Sequence, residues 1–193
     1  MNQRTNNYCL IVLYMVACLL LGWGSLDRAP AQEVGEYQVK AAFLYNFVKF
    51  VEWPENAFQK EDDPIVIGIV GGDPLGEDLD LLVQDKTVRG RAVKIRHFEG
   101  ISALECCQVL FISKREADWL PAIVKKLGGC PVLMVSEAPG SLDQEGMINF
   151  VTKESKIRFE VNLDATTKAG LQISSKLLSL AARVTGSANG TKP

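Results

Sequence analysis

The chain reads as an α/β protein: a single three-layer domain with a mostly parallel mixed sheet, flanked by helices and closed by a C-terminal antiparallel hairpin. Three observations predict this. Runs at 64–70 (PIVIGIV), 109–113 (VLFIS) and 131–136 (PVLMVS) are too continuously apolar for a sheet with a wet face, and they alternate with helical segments, the pattern of βαβ units. Strands at 147–151 and 156–163 are separated by only four residues, too few for a crossover, so they must pair antiparallel. The segment 33–54 (EVGEYQVKAAFLYNFVKFVEWP) carries apolar residues around more of its circumference than a surface helix needs, which suits a helix laid on such a sheet.

The chain opens with an export signal. Arg4 precedes an uncharged, mostly apolar run from Tyr8 to Trp23, and Ala29-Pro30-Ala31 supplies the small residues a signal peptidase reads, so residues 1–31 are expected to be removed after Ala31. An uncleaved anchor over Thr5–Leu26 and lipidation at Cys18 are the alternatives, and all three place the domain outside the cytoplasm. The domain then spans 32–184, and the small polar residues of 185–193 predict a disordered tail. A formal net charge of −2 gives no basic footprint, which excludes a nucleic-acid partner.

In the opening helix Val39, Phe43, Phe47 and Phe50 form one stripe, and Tyr37, Leu44, Val48 and Val51 form a second beside it. One stripe is expected on the sheet and the other on a neighbouring helix or a second chain, with Trp53-Pro54 ending the helix. Pro64–Val70 is a central strand. Asp73 then suits an N-cap and Pro74 the first position of a helix reaching about Gln84. Gly68, Gly71, Gly72 and Gly76 miss the dinucleotide-binding spacing, so no nicotinamide or flavin cofactor is expected.

Arg91–Phe98 alternates, turning Val93 and Ile95 inward and Lys94 and Arg96 outward, as an edge-like strand does. A helix over 114–127 carries Ala117, Leu120, Ile123, Val124 and Leu127 on one face until Gly128-Gly129 stops it. In the second hairpin strand Ile157, Phe159, Val161 and Leu163 share one face, and Arg158, Glu160 and Asn162 share the other. Asp164 is placed to cap a short helix to Lys168. Ser174 or Ser175 begins a last helix with Ile173, Leu177, Leu180, Ala181 and Val184 toward the core.

Nothing in this pattern carries catalytic chemistry. His97 is the sole histidine, and no nucleophile elbow, zinc-protease helix or phosphate loop is present. Cys106, Cys107, Cys130 and His97 lack paired ligand spacing, so no metal is expected, and the reading is a binding or regulatory protein, not an enzyme. Cys9 and Cys18 leave with the signal, and three cysteines remain in a compartment that permits disulfides. Cys107 and Cys130 each precede a buried strand, and a helix crossover makes those strands neighbours, so a Cys107–Cys130 bridge with Cys106 as odd thiol is expected. Three reduced cysteines are the alternative.

Three blocks resemble the YfiR family of secreted bacterial proteins: Lys40–Pro54 (KAAFLYNFVKFVEWP), Cys107–Ser113 (CQVLFIS) and Gly146–Leu178, the last containing the N-F hairpin, R-F-E-x-N and I-S-S-K-L-L. The resemblance implies a periplasmic regulator, often a homodimer, whose best-known members bind the periplasmic part of a membrane diguanylate cyclase and hold it inactive. Cyclic di-GMP and biofilm formation would then fall when the protein is bound to its partner. Well-known members carry two disulfides, whereas three cysteines here allow one. The partner surface is expected at Phe150, Arg158, Glu160 and Asn162 of the hairpin, in the block most like the family's, together with Trp53. Core packing for the two aromatics and a cross-strand ion pair for the polar stripe are the competing readings. A small-ligand sensor subunit for a histidine kinase or transport system is the alternative function.

Overall fold

The apolar segment that dominates the sequence forms α1 (Pro30–Phe50), and its side chains organise everything that follows it. The computed structural model describes residues 30–187; the expected export signal, save its last two positions, and the tail beyond residue 187 lie outside the described residues. From Gly35 onward the described residues form one compact unit. Its strands are β1 (Val51–Glu52), β2 (Ile65–Val70), β3 (Thr87–Val88), β4 (Arg91–Phe98), β5 (Val109–Ile112), β6 (Leu133–Ser136), β7 (Ile148–Lys153), β8 (Lys156–Asn162), β9 (Gln172–Ile173) and β10 (Arg183–Thr185). Its remaining helices are α2 (Gly76–Val83), α3 (Leu120–Leu127), α4 (Leu163–Lys168) and α5 (Ser175–Leu178).

Eight strands make one mixed sheet in the order β10-β8-β7-β6-β5-β2-β4-β3, and β1 pairs with β9 in a separate two-stranded ribbon. The central strands are parallel and the β7–β8 hairpin is antiparallel, as the spacing predicts. α1 covers one face, where Phe43 and Phe47 meet Phe150 and Phe159 with ring centroids 5.2–6.0 Å apart. α2 lies beside α1, joined to it by Gln38 and Asp78 at 3.3 Å. α3 packs on the opposite face, near Met134. Gly68 makes the central strand's close packing possible, because a Cβ there would sit 2.7 Å from the Phe98 ring and 3.1 Å from Cys107 Sγ.

Several elements differ from the sequence expectation. α1 ends at Phe50, and Val51-Glu52 turn extended because Ile173-Gln172 offer them a ladder, reinforced by Ser174 N–H donating to Phe50 O at 3.0 Å. Leu44, Phe47 and Val48 of α1 are fully buried, whereas Val39 is 43% exposed, so the buried arc is narrower than two full stripes. Asp73 caps the turn before α2, its Oδ1 accepting from Leu75 and Gly76 N–H at 3.1 and 3.0 Å. The segment after β5 is a 3₁₀ stretch, Lys114–Trp119, bent at Glu116, before α3 begins. Asn162, and not Asp164, caps α4.

The last helix is much shorter than expected. Ser174 caps α5, which lasts four residues, and the chain then becomes β10, leaving Leu180 and Val184 exposed. The reason is the open edge of β8: Ala182 N–H donates to Phe159 O at 2.8 Å, and Arg183, Val184 and Thr185 run parallel to Glu160, Val161 and Asn162. A helix at these positions would leave that edge of the ladder bare. Thr185 therefore belongs to a strand, not to the tail.

Candidate functional site

The polar stripe of β8 forms as the alternation requires, but its members have different occupations. Arg158 is exposed near the hairpin turn. Glu160 is only 8% exposed; its carboxylate accepts from Arg183 Nη2 at 2.7 Å and lies 3.4 Å from Lys153 Nζ. The Arg183 hydrogen bond holds the Glu160 carboxyl below the usual carboxylate range, opposed by burial and aided by Lys153. Asn162 is half-buried: its Oδ1 accepts from Ala165 N–H at 3.1 Å and its Nδ2 donates to Leu142 O at 3.0 Å. The cross-strand ion pair that the sequence left open is thus present at Glu160.

The two aromatics lie elsewhere. Phe150 is 4% exposed on the face opposite the stripe, within the Phe43–Phe47–Phe159 cluster, so a partner touches it only by opening the core. This corrects its expected place on a surface; large aromatics gain most by full burial, and α1 supplies the cover. Trp53 is half-buried, and its Nε1 donates to Gln108 O at 3.0 Å, just before β5. The structure therefore brings Arg158, Glu160 and Asn162 together and leaves Phe150 and Trp53 apart from them.

The disulfide joins Cys106 to Cys130, not Cys107 to Cys130, with Cα atoms 5.7 Å apart. Strand register decides it. Val109 pairs with Leu133, and the same offset carries Cys106 onto Cys130. Cys107 points the other way and is 3% exposed beside Gly68. Burial pushes its thiol up to about 12, so it stays protonated and unreactive in the folded state.

At the carboxyl ends of the parallel strands, β2 and β5 lead to helices on opposite sides, the place where open α/β sheets leave a crevice for ligands. Here that crevice is filled from within. Gly71 takes φ +80°, and the Glu116 side chain lies where a Cβ on Gly71 would be, 2.5 Å away. Glu116 is buried, bonded to Ser113 Oγ, and accepts from Gly72 N–H at 3.3 Å. Lys40 of α1 is buried in ion pairs with Glu36 and Glu137, and Glu137 also accepts from Lys114 N–H at 2.9 Å.

The opposite end of the sheet is open. A cleft of about 460 Å³ lies at the amino ends of β6 and β7, between the last turn of α3 and α4. Val124, Leu127, Met134, Met147, Ala165 and Ala169 supply apolar walls, and the Lys168–Glu145 pair, 2.6 Å apart, stands at its mouth. No periodicity argument finds this cleft, because its walls come from five separate segments. Among the described residues no cluster of three His, Cys, Asp or Glu side chains is placed to hold a metal ion. His97 is half-exposed, 3.9 Å from the Asp73 carboxylate.

These features define a three-layer α/β domain with its strand-end crevice closed and its polar stripe committed to ion pairing and capping. The chain is a member of the YfiR/HmsC-like family, whose model matches residues 37–182. At family level this supports a periplasmic regulatory role in cyclic di-GMP signalling. Among solved structures, the chain is similar to a conserved domain protein from Vibrio cholerae O1 biovar El Tor, with a TM-score of 0.54 and 12% identity over 77% of this chain. That likeness is one of fold, and the chain spans 60% of the length of that neighbour. A comparison with curated proteins finds no match. No helix among the described residues is long and apolar enough to cross a membrane.

Proposed function

We propose that the protein binds the periplasmic part of a membrane-bound diguanylate cyclase and holds it inactive, lowering cyclic di-GMP inside the cell. Family membership across residues 37–182 carries this reading. The contact surface we assign is the hairpin: Arg158 on its exposed side, with Glu160 and Asn162 fixing the strand behind it and Trp53 as a more distant contributor. The hairpin tip supports the assignment, since Glu154 and Ser155 both take positive φ, 52° and 58°, where glycine or asparagine is usual. Non-glycine residues kept in that region tend to cluster at functional sites.

The experiment is deletion of the gene with measurement of cyclic di-GMP, alongside periplasmic crosslinking. Raised cyclic di-GMP and a crosslinked cyclase are expected; unchanged levels with no cyclase recovered would reject repression. A second reading, a small-ligand sensor subunit for a histidine kinase or transport system, draws on one observation, the open cleft beside β6 and β7. A kinase in place of a cyclase among the crosslinked products decides for it.

A further inference from the structure

We infer that the cleft between the end of α3 and α4 is a binding site for a small apolar amine: an aliphatic or aromatic body carrying a primary ammonium head. Its volume of about 460 Å³ lies within the ~300–1,000 Å³ usual for small-ligand sites. The body would rest among Leu127, Met134, Met147 and Ala165. Two methionines side by side on the sheet wall, with Met147 N–H donating to Met134 O at 3.2 Å, suit this, because unbranched thioether chains reshape around a guest and their sulfurs favour aromatic edges.

The mouth selects the head group. Its charged side chains are Glu145 and Lys168, already paired, and the wall beside them is the carboxyl end of α3, continued by Gly128 and Gly129. A helix carboxyl end carries negative partial charge, and the lysines of that last turn, Lys125 and Lys126, do not line the cleft, Lys126 Nζ donating instead to Ser102 O at 3.1 Å. Lys168 is the more exposed partner, at 73% against 53% for Glu145, and its long stem lets the ammonium swing into water. An incoming ammonium therefore replaces Lys168 on the Glu145 carboxylate, trading one ion pair for another. A carboxylate guest would have to displace Glu145 and face the helix end. The Glu145 backbone adds an independent sign, with φ +65° at a non-glycine position on the rim of a cavity.

The test is titration of 2-phenylethylamine into the periplasm-purified protein, followed by calorimetry and amide chemical shifts, with 3-phenylpropionate as the anionic control. The amine is expected to bind with shifts centred on the cleft, and the anion to bind far more weakly. Glu145→Gln should weaken the amine about tenfold, the loss of a charge-assisted hydrogen bond. Lys168→Ala should tighten it, because the internal competitor is gone. Ala165→Trp should fill the cleft and abolish binding, and Ala169→Leu serves the same purpose if the larger substitution impairs folding. Absence of amine binding, equal binding of the anion, or weaker amine binding in Lys168→Ala would each overturn the proposal.

Discussion

The half of the sheet made by β2, β4, β5 and β6 and the half made by β7, β8 and β10 are held together by different physics. In the first, the parallel strands β2, β5 and β6 are covered on both faces, and all of Val109–Ile112 and Leu133–Ser136 is buried. Hydrophobic burial there is spread over many positions and tolerates variation at any one. In the second, the hairpin is covered on the α1 side by an aromatic cluster, while the other side rests on particular polar pairs: Glu160 with Arg183 and Lys153, and Asn162 with α4. At the edge of the molecule these polar pairs thus add to the backbone ladder that docks β10 on β8.

The largest test of this contrast concerns the aromatic cluster that joins the two halves through α1. Phe150→Ala should cost about 3–5 kcal/mol, read from the shift in urea midpoint; a loss as small as that of a surface substitution would show that α1 does not bind the halves together. Next comes the staple within the first half. Cys130→Ser should cost about 3 kcal/mol, the expected value for a loop of this size. Denatured without reductant, the wild-type chain from residue 32 onward should show a single free thiol, Cys107; three thiols would reject the Cys106–Cys130 bridge.

A smaller effect is expected at the edge. Glu160→Lys sets an ammonium against the half-exposed Arg183 and Lys153 and should cost about 1–3 kcal/mol by placing an unpaired charge at a buried position. The same group gives this edge an acid sensitivity. With its folded pKa below the unfolded value of about 4.3, Glu160 adds stability that is present above that pH and lost as pH falls through the folded value. Thermal unfolding between neutral and acidic pH should therefore converge for wild type and Glu160→Gln. The smallest change in stability belongs to Arg158→Glu, within about ±0.5 kcal/mol. If the hairpin is the partner surface, that variant should still lose about 2 kcal/mol of binding in a pull-down titration. Unchanged binding moves the interface away from the hairpin.

The same contrast explains what was legible in the sequence. Continuous β-branched runs announced the parallel strands, and a four-residue gap announced the hairpin, because burial and chain geometry leave direct traces in residue order. The end of the chain misled for a local reason: Leu177, Leu180, Ala181 and Val184 have helical spacing, yet the unpaired edge of β8 outweighed that preference. The disulfide turned on register, where a shift of one residue reverses which face a side chain takes, and adjacent cysteines give no hint of register. Buried Lys40 was unreadable for another reason, since its partner Glu137 lies 97 residues away along the chain. The polar stripe was found, but nothing in its alternation told an ion-paired Glu160 from a free Arg158.

Glu116 gives the molecule an orientation. A doubly wound sheet ordinarily listens at the carboxyl ends of its strands, where glycine turns leave space for a phosphate. By lodging the Glu116 side chain against Gly71 and Gly72, this domain fills that space with a group of its own. The cleft proposed for an amine opens at the other, amino end of the strands, beside the Cys106–Cys130 staple, the side of the fold that usually stays silent.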